Sequence, residues 1–336
     1  MNDTEIESKV LARFQINQCV GRGAYGVVWK GVDKHSQKIV AIKKCFDAFR
    51  NSTDAQRTFR EVKYLQALRG HENIIELLQV ISSENCRDLY LIFEFMATDL
   101  HAVMRANLLQ PIHRKFVTYQ IMKALKFVHS AGLIHRDIKP SNILLDAKCH
   151  VKLCDFGLAR SVKNASRLMT DYIATRWYRS PEVLVGSTNY STAVDIWAVG
   201  CILGEMLKKK PLFPGHNTLN QIEKILEMHG IPNKDVIQTL TSDFAEKIFT
   251  SVEVSQSSST TLTKLCEGES VETLEFMRQC LHFVPNMRVS AEMALQHPFI
   301  IQFHRPHKEP SYPKDCIEVS RLNNAMIRTW QTLLHH

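Results

Sequence analysis

Gly21-Arg22-Gly23-Ala24-Tyr25-Gly26-Val27-Val28-Trp29-Lys30 decides between two folds. Glycines at the G-x-G-x-x-G spacing let backbone N–H groups approach phosphate oxygens, and unrelated architectures use them. In a dinucleotide-binding fold a helix follows the glycines, so that its N-terminus meets the pyrophosphate. Here valines and a tryptophan follow, after a strand-like stretch at residues 14–20, and the pattern argues for a β-hairpin. The spacing by itself is weak, so its neighbours must carry the rest.

The next strand-like stretch, residues 38–44, alternates. Ile39, Ala41 and Lys43 share one face, and Val40, Ile42 and Lys44 the other. Lys43 either meets a ligand beneath the hairpin or is a strand-end lysine reaching to water. Thr53-Asp54-Ala55-Gln56 has the form of a capping box, followed by Phe59, Val62, Leu65 and Leu68 at helical spacing. Glu61 lies beside that stripe, where its carboxylate either reaches inward to Lys43 or stays on a charged surface. Residues 89–95 are almost unbroken apolar and read as a buried strand. A hinge is placed at residues 94–96, with exposed backbone groups that can anchor a flat heteroaromatic ring.

Composition narrows the class. At 336 residues, two packed lobes are expected, and 45% apolar with 23% charged residues describes a soluble globular protein. The net charge of +8 is scattered, and the one compact run, Lys208-Lys209-Lys210, reads as a solvated face, so no nucleic acid or membrane partner is expected. Nine cysteines without a C-x-x-C pair indicate neither a disulfide framework nor a zinc site and fit a reducing compartment. The first 13 residues lack a signal-peptide core, and the longest apolar run, residues 196–203, is too short for a membrane helix. A cytoplasmic or nuclear protein is the reading.

Residues 113–130 repeat apolar side chains at helical spacing. His135-Arg136-Asp137-Ile138-Lys139-Pro140-Ser141-Asn142 follows, between apolar Leu133-Ile134 and Ile143-Leu144. Such a string is either an ordinary polar turn or a loop that presents an aspartate, a lysine and an asparagine to one point. After Val151-Lys152-Leu153-Cys154 stands Asp155-Phe156-Gly157, where an aspartate at a strand end can ligate a hard cation. Asn142 offers a second oxygen, and Mg²⁺ bound with substrate phosphates needs only one or two carboxylates plus such help.

Taken in order, the glycine hairpin, Val40-Ala41-Ile42-Lys43, Glu61, His135-Arg136-Asp137 through Asn142, Asp155-Phe156-Gly157 and Ser180-Pro181-Glu182 resemble the protein-kinase signature set. The resemblance implies an α+β, two-lobed kinase fold. A small antiparallel-sheet lobe with one main helix would span 1–95, and a larger, mainly helical lobe 96–303 with an insert at about 208–265. An extension, 304–336, would pack back toward the small lobe through a helix at 317–334. ATP and Mg²⁺ are the implied substrate and cofactor. Lys43 would orient the α- and β-phosphates and Glu61 would hold Lys43. Asp137 would accept the substrate hydroxyl proton, Lys139 would neutralise the γ-phosphate, and Asn142 and Asp155 would hold the metal. Gly21, Gly23 and Gly26 would cover the phosphates. Val20, Val28, Ala41 and Leu144 would sandwich adenine, the backbone of Glu94 and Met96 would read its edge, and Phe93 would narrow the pocket behind it. Cys154 is either a reactive thiol or a small filler at a strand end.

Thr170-Asp171-Tyr172 resembles the dual phosphorylation site of mitogen-activated protein (MAP) kinases, with Asp171 where the usual animal form has glutamate. By that likeness Arg60, Arg136 and Arg160 would gather the Thr170 phosphate, and Arg176 and Arg179 the Tyr172 phosphate. A pocket for proline after the acceptor would follow, hence Ser-Pro and Thr-Pro substrates. Ser180 stands where most kinases have alanine, a hydroxyl expected to be tolerated. Asp195 would brace the catalytic loop and Arg288 would pair with Glu182. The chain is most similar to the atypical extracellular-signal-regulated kinase branch, which includes the fifteenth mammalian MAP kinase. That branch implies autophosphorylation, cilium or cytoskeleton association and a long disordered tail; with no tail in these 336 residues, either a short member or a trimmed chain is expected. Glu309, Asp315 and Glu318 form only a thin acidic patch for docking peptides, and a monomer is expected. The alternatives are a cyclin-dependent-like kinase, disfavoured by Tyr172 and the insert, and an inactive kinase-fold scaffold.

Overall fold

Five antiparallel strands, β1 (Phe14–Gly23), β2 (Gly26–Asp33), β3 (Ile39–Cys45), β4 (Leu77–Ser82) and β5 (Leu89–Glu94), form one sheet in the order β1-β2-β3-β5-β4. The computed structural model describes residues 6–23, 26–164, 175–188, 191–252, 261–314, 316–320 and 322–335. Thr170, Asp171, Tyr172, Asp315 and the expected loop at 255–260 therefore lie outside the described residues. Backbone contacts divide the chain into two compact units. One comprises Met1–Ala97, Cys154–Leu158 and Glu318–His336, the other Thr98–Leu153 and Ala159–Ile317.

In the first unit, β1 and β2 pair directly across the glycine turn, Gly23 opposite Gly26, so the hairpin replaces the helix of a dinucleotide fold. Gly26 is sterically required, because a Cβ there would stand 2.0 Å from the Lys44 carbonyl oxygen. Alternation on β3 buries Val40 and Ile42, which join Val10, Phe14, Tyr90 and Ile92 in one core cluster, while Ile39 is 49% exposed. Lys44 falls on the buried face, and its ammonium meets Asp88 at 3.4 Å and lies over the rings of Phe46 and Tyr90. A buried ammonium without such partners would cost several kcal/mol, on the order of 5.

The helix that follows β3, α2 (Ser52–Ala67; α1 is Ser8–Arg13), starts earlier than the expected capping box. Asn51 is its N-cap, accepting from Asp54 N at 2.9 Å. Asparagine is as strong an N-cap as any residue, and it comes first in the chain. Gln56, expected inside the box, is buried and serves another segment: its Nε2 donates to Ser320 O at 3.4 Å and its Oε1 accepts from Leu322 N at 2.5 Å. The helix expected at 317–334 therefore begins only at Asn324, because the backbone before it is held by Gln56. This C-terminal helix, Asn324–His335, sets Trp330 edge-on to Phe49 and Phe59, with centroids 5.3 and 5.0 Å away.

The second unit is mainly helical. Its strands are short: β6 (Thr98–Asp99), β7 (Leu133–Ile134), β8 (Ile143–Leu145), β9 (Val151–Leu153) and β10 (Arg160–Ser161), forming a β6-β8-β9 sheet and a β7-β10 pair. After α3 (Leu100–Arg105), α4 (Pro111–Ser130) opens two residues before the expected 113, with proline at a first-turn position that needs no N–H. The four-residue α5 (Pro181–Leu184) precedes α6 (Ala193–Lys208), which is buried on all sides from Val194 to Met206. Helix α7 (Thr218–His229) and the helices Lys234–Thr239, Ala245–Ser251 and Leu262–Leu265 occupy the expected insert. Thr261, read as part of a loop, instead caps the last of these. Glu309, expected on a docking surface, is 2% exposed; it accepts from Tyr119 Oη at 2.9 Å and Arg305 N at 2.7 Å and meets His304 at 2.8 Å. Among the described residues no helix is long and apolar enough to cross a membrane.

Candidate active site

The first unit contributes a cation bound to a carboxylate. Lys43 Nζ donates to both oxygens of Glu61, at 2.7 and 3.0 Å, so neither the strand-end reading of Lys43 nor the surface reading of Glu61 holds. Burial works against the Lys43 charge, yet the Glu61 carboxylate, with Asp155 beyond it, keeps the ammonium well above its ordinary value. The same burial pushes the neighbouring Cys45 thiol up to about 12. Gly21 stands opposite Val28, and Val28 opposite Lys43, across three adjacent strands. Among the described residues, a Cβ at Gly23 would meet nothing within 4 Å, and one at Gly21 only ordinary contacts with Val28. No described neighbour crowds those two glycines, and a bare backbone there is one a ligand can approach. On the strands behind, Phe93 is 8% exposed and opposes Ala41 and Leu77. Val20 is 45% exposed, while Val28, Ala41 and Met96 are half-buried. Glu94 N donates to Glu76 O at 3.2 Å, and its carboxylate accepts from Glu76 N at 2.8 Å.

Asp155 also lies in the first unit, in the left-handed region at φ 60°, an uncommon conformation for a residue with a Cβ. Its Oδ1 accepts from Gly157 N at 3.3 Å, and its Oδ2 pairs with Arg57 Nη2 at 3.3 Å. Arg57 is one helical turn before Glu61, and the sequence reading missed it. A Cβ on Gly157 would stand 2.8 Å from Arg57 Cγ, so the glycine is needed for the arginine to pass. Cys154, next to Asp155, is half-buried.

The second unit holds the other chemical groups. Lys139 Nζ donates to Asp137 Oδ2 at 2.8 Å, and Asn142 Nδ2 donates to the same oxygen and to the Asp137 carbonyl, both at 2.9 Å. His135, Asp137 and Asn142 are 0%, 7% and 6% exposed, which excludes an ordinary solvated turn. The loop's shape is imposed from beneath. Asp195, at 1% exposure, accepts from His135 N at 2.9 Å, Arg136 N at 2.8 Å and the His129 ring at 2.9 Å. Burial opposes its charge, but the hydrogen bond and charge of His129, then the charge of His135 and the Arg136 N–H, hold its carboxyl below the ordinary value. Arg136 meanwhile adopts φ 70°, a second left-handed residue with a side chain. Leu144 is half-buried on β8, opposite Asp99 and Lys152.

The five arginines expected at phosphates are placed, but Thr170 and Tyr172 lie outside the described residues. Arg60 is half-buried on α2 in the first unit. In the second unit, Arg160 Nη1 donates to Ala159 O at 2.8 Å and Arg176 Nη1 to His216 O at 2.9 Å, while Arg179 lines a small cavity with Arg136 and Asp137. Trp177 and Tyr178, between the last two arginines, are tied to Gly215 O at 3.1 Å and Glu205 Oε2 at 2.7 Å. Residues 14–300 match the protein kinase domain family. The chain belongs to that family. Extracellular signal-regulated kinase 2 of Dictyostelium discoideum is 50% identical over 320 residues, covering 94% of this chain and 86% of that protein. Mitogen-activated protein kinase 15 of Xenopus laevis is 48% identical over 324 residues, and that of Rattus norvegicus 49% over 311. The chain covers 55% and 57% of those two proteins, little more than half their length. Within the protein kinases it is therefore of the MAP kinase, extracellular-signal-regulated type. In this kinase the Lys43–Glu61 pair and the Asp137–Lys139–Asn142 set are each assembled inside one unit.

Proposed function

We propose that this kinase transfers the γ-phosphate of Mg-ATP to serine or threonine followed by proline, and that phosphorylation of its own Thr170 and Tyr172 switches it on. The observation that carries the catalytic reading is the convergence of Lys139 and Asn142 on one carboxylate oxygen of buried Asp137. In that role Asp137 orients a substrate hydroxyl and takes its proton while the hydroxyl oxygen bonds to the γ-phosphorus and the bond to the ADP oxygen breaks. Lys139 balances the negative charge that builds on the transferring group, and Lys43, fixed by Glu61, does so for the α- and β-phosphates. With a loose transition state, such positioning and charge stabilisation supply most of the rate.

The residues present suit the metal. Asn142 uses its amide N–H groups on Asp137, so its Oδ1 is the atom left for a cation. Asp155 already takes positive charge from Arg57, in the manner of a metal ligand. Bound to these oxygens, Mg²⁺ would neutralise phosphate charge. Val20, Val28, Ala41, Phe93 and Leu144 are assigned to adenine, with the backbone of Glu94 and Met96 at its edge and Gly21, Gly23 and Gly26 over the phosphates. The switch rests on the Thr170-x-Tyr172 motif and on Arg60, Arg136, Arg160, Arg176 and Arg179, because a phosphate adds about −1.5 to −2 charges and gathers such side chains. The proline preference rests on the same resemblance.

Protein made in bacteria, incubated with Mg-ATP and mapped by mass spectrometry, tests this reading. Phosphate is expected on Thr170 and Tyr172 in the wild type and absent from Asp137→Ala. No transfer by the wild type would leave the inactive-scaffold reading, and equal activity on peptides with and without the following proline would end the proline-directed one.

A further inference from the structure

Ser180 is 0% exposed, and its Oγ has no hydrogen-bond partner among the described residues. It occupies the N-cap position of α5, where serine is a favoured capping residue, yet its side chain makes no capping bond. The N–H groups of Val183 and Leu184 go instead to the Ser180 carbonyl, each at 3.1 Å. A buried hydroxyl left unpaired costs about 1–3 kcal/mol, so this one calls for a partner beyond its own helix. Two nearby acceptors are already in use. Asp195 is already engaged by His129, His135 and Arg136, and Asp137 Oδ2 by Lys139 and Asn142.

Ser180 is one of the residues around a cavity of about 30 Å³ that it shares with Arg136, Asp137, Thr175, Tyr178 and Asp195. A water molecule needs roughly 10–15 Å³ of such space and two to four polar partners. The volume suffices here, Lys139 and Asn142 both bond Asp137 Oδ2 and leave Oδ1, and the lining joins the catalytic loop and residues 175–180 to apolar Val183, Val194 and Ala198. We propose that Ser180 Oγ holds an ordered water in this cavity, and that the water bridges residues 175–180 to the Asp137 side of the catalytic loop. Ser180 is thereby a positioning residue for phosphoryl transfer. Alanine at this position offers no such bond, so the hydroxyl adds a link rather than being merely tolerated.

The kinetic part of this inference rests on the proposed kinase activity, whereas the bridge itself does not, and the experiment separates the two. High-resolution crystal structures of the full chain, wild type and Ser180→Ala, are compared. Alongside them, kcat and KM for peptide and ATP are measured for wild type, Ser180→Ala and Ser180→Thr, matched in Thr170 and Tyr172 phosphorylation and checked for folding by thermal unfolding. The expected result is a water within hydrogen-bond distance of Ser180 Oγ in the wild type and its loss from Ser180→Ala. With it, kcat falls about 3- to 10-fold, the scale of one net hydrogen bond, at unchanged KM for ATP, and Ser180→Thr restores it. A dry cavity in the wild type overturns the bridge. A folded Ser180→Ala with wild-type kcat, or Ser180→Thr as slow as Ser180→Ala, overturns the positioning role. A wild type that transfers no phosphate counts against the proposed function and leaves the water to be decided in the crystal.

Discussion

Arg288 grips Glu182 through two parallel hydrogen bonds, Nη1 to Oε1 at 2.6 Å and Nη2 to Oε2 at 2.7 Å, with side chains 0% and 1% exposed. The guanidinium also donates to the carbonyls of His282, Ala193 and Phe283 and lies 4.9 Å over the Trp197 ring. Lysine could not serve that many acceptors from one planar group. Arg288→Ala is expected to cost about 3–5 kcal/mol in urea unfolding, because it strands a buried carboxylate. Arg288→Lys should recover less than half of that loss, and Glu182→Gln combined with Arg288→Met should be milder than Arg288→Ala alone.

Asp195 holds the backbone of the 135–142 loop through the N–H groups of His135 and Arg136. Asp195→Asn keeps the shape but replaces one accepting oxygen with a donor, which then faces the N–H of either Arg136 or His135. A shift of Asp137 by a fraction of an ångström should follow, lowering kcat by about 10²-fold. The KM for ATP should change little, and steady-state kinetics at saturating peptide would check both values.

Trp330 fills the contact between the C-terminal helix and the helix that carries Glu61. Trp330→Ala is expected to destabilise that docking by about 3–5 kcal/mol, the range for large aromatic truncations. Hydrogen exchange should then speed up across residues 52–67 and 324–335. Gln56→Leu, which removes the bonds to Ser320 and Leu322, should loosen the same pair of segments while leaving exchange in α4 unchanged.

His229 gives the stability a pH dependence. Its ring is enclosed by Trp197, Phe213 and Phe283, with centroids 5.6, 6.5 and 6.1 Å away. Burial, aided by the charges of Arg288 and His282, lowers its pKa from 6.5 to about 4. An unfolded chain takes up this proton near 6.5, so unfolding binds a proton between the two values. The contribution is complete above the unfolded value and is lost as the pH falls through the folded one, by about 3 kcal/mol in all. Urea unfolding across that window should show the decline, and His229→Phe should flatten it.

What the sequence made legible was whatever leaves a local signature. The valines after Gly26 exposed the hairpin, and the alternation at β3 placed Lys43 on the side away from the core. Arg57 was not legible, since its partner Asp155 is 98 positions away and an arginine on a charged helix face has no distinguishing pattern. Lys44 and Asp88 escaped for the same reason, as did Gln56, whose polar side chain looked like part of a cap. Glu309 was misplaced because a carboxylate defaults to the surface unless a tyrosine, a histidine and a backbone N–H converge on it. Such convergence is a property of the folded chain alone.

The first unit is assembled from segments more than 200 residues apart in the chain, with Gln56 and Phe59 on α2 taking their partners from residues 320–330. During synthesis the strands and α2 emerge early, while Trp330 and Leu322 appear only after the whole second unit has been made. The nascent chain must therefore carry the apolar flank of α2 exposed until residues 322–330 have been made. That interval gives a chaperone a defined surface to cover, and it makes the arrival of the helix Asn324–His335 the step that commits the first unit to its final form.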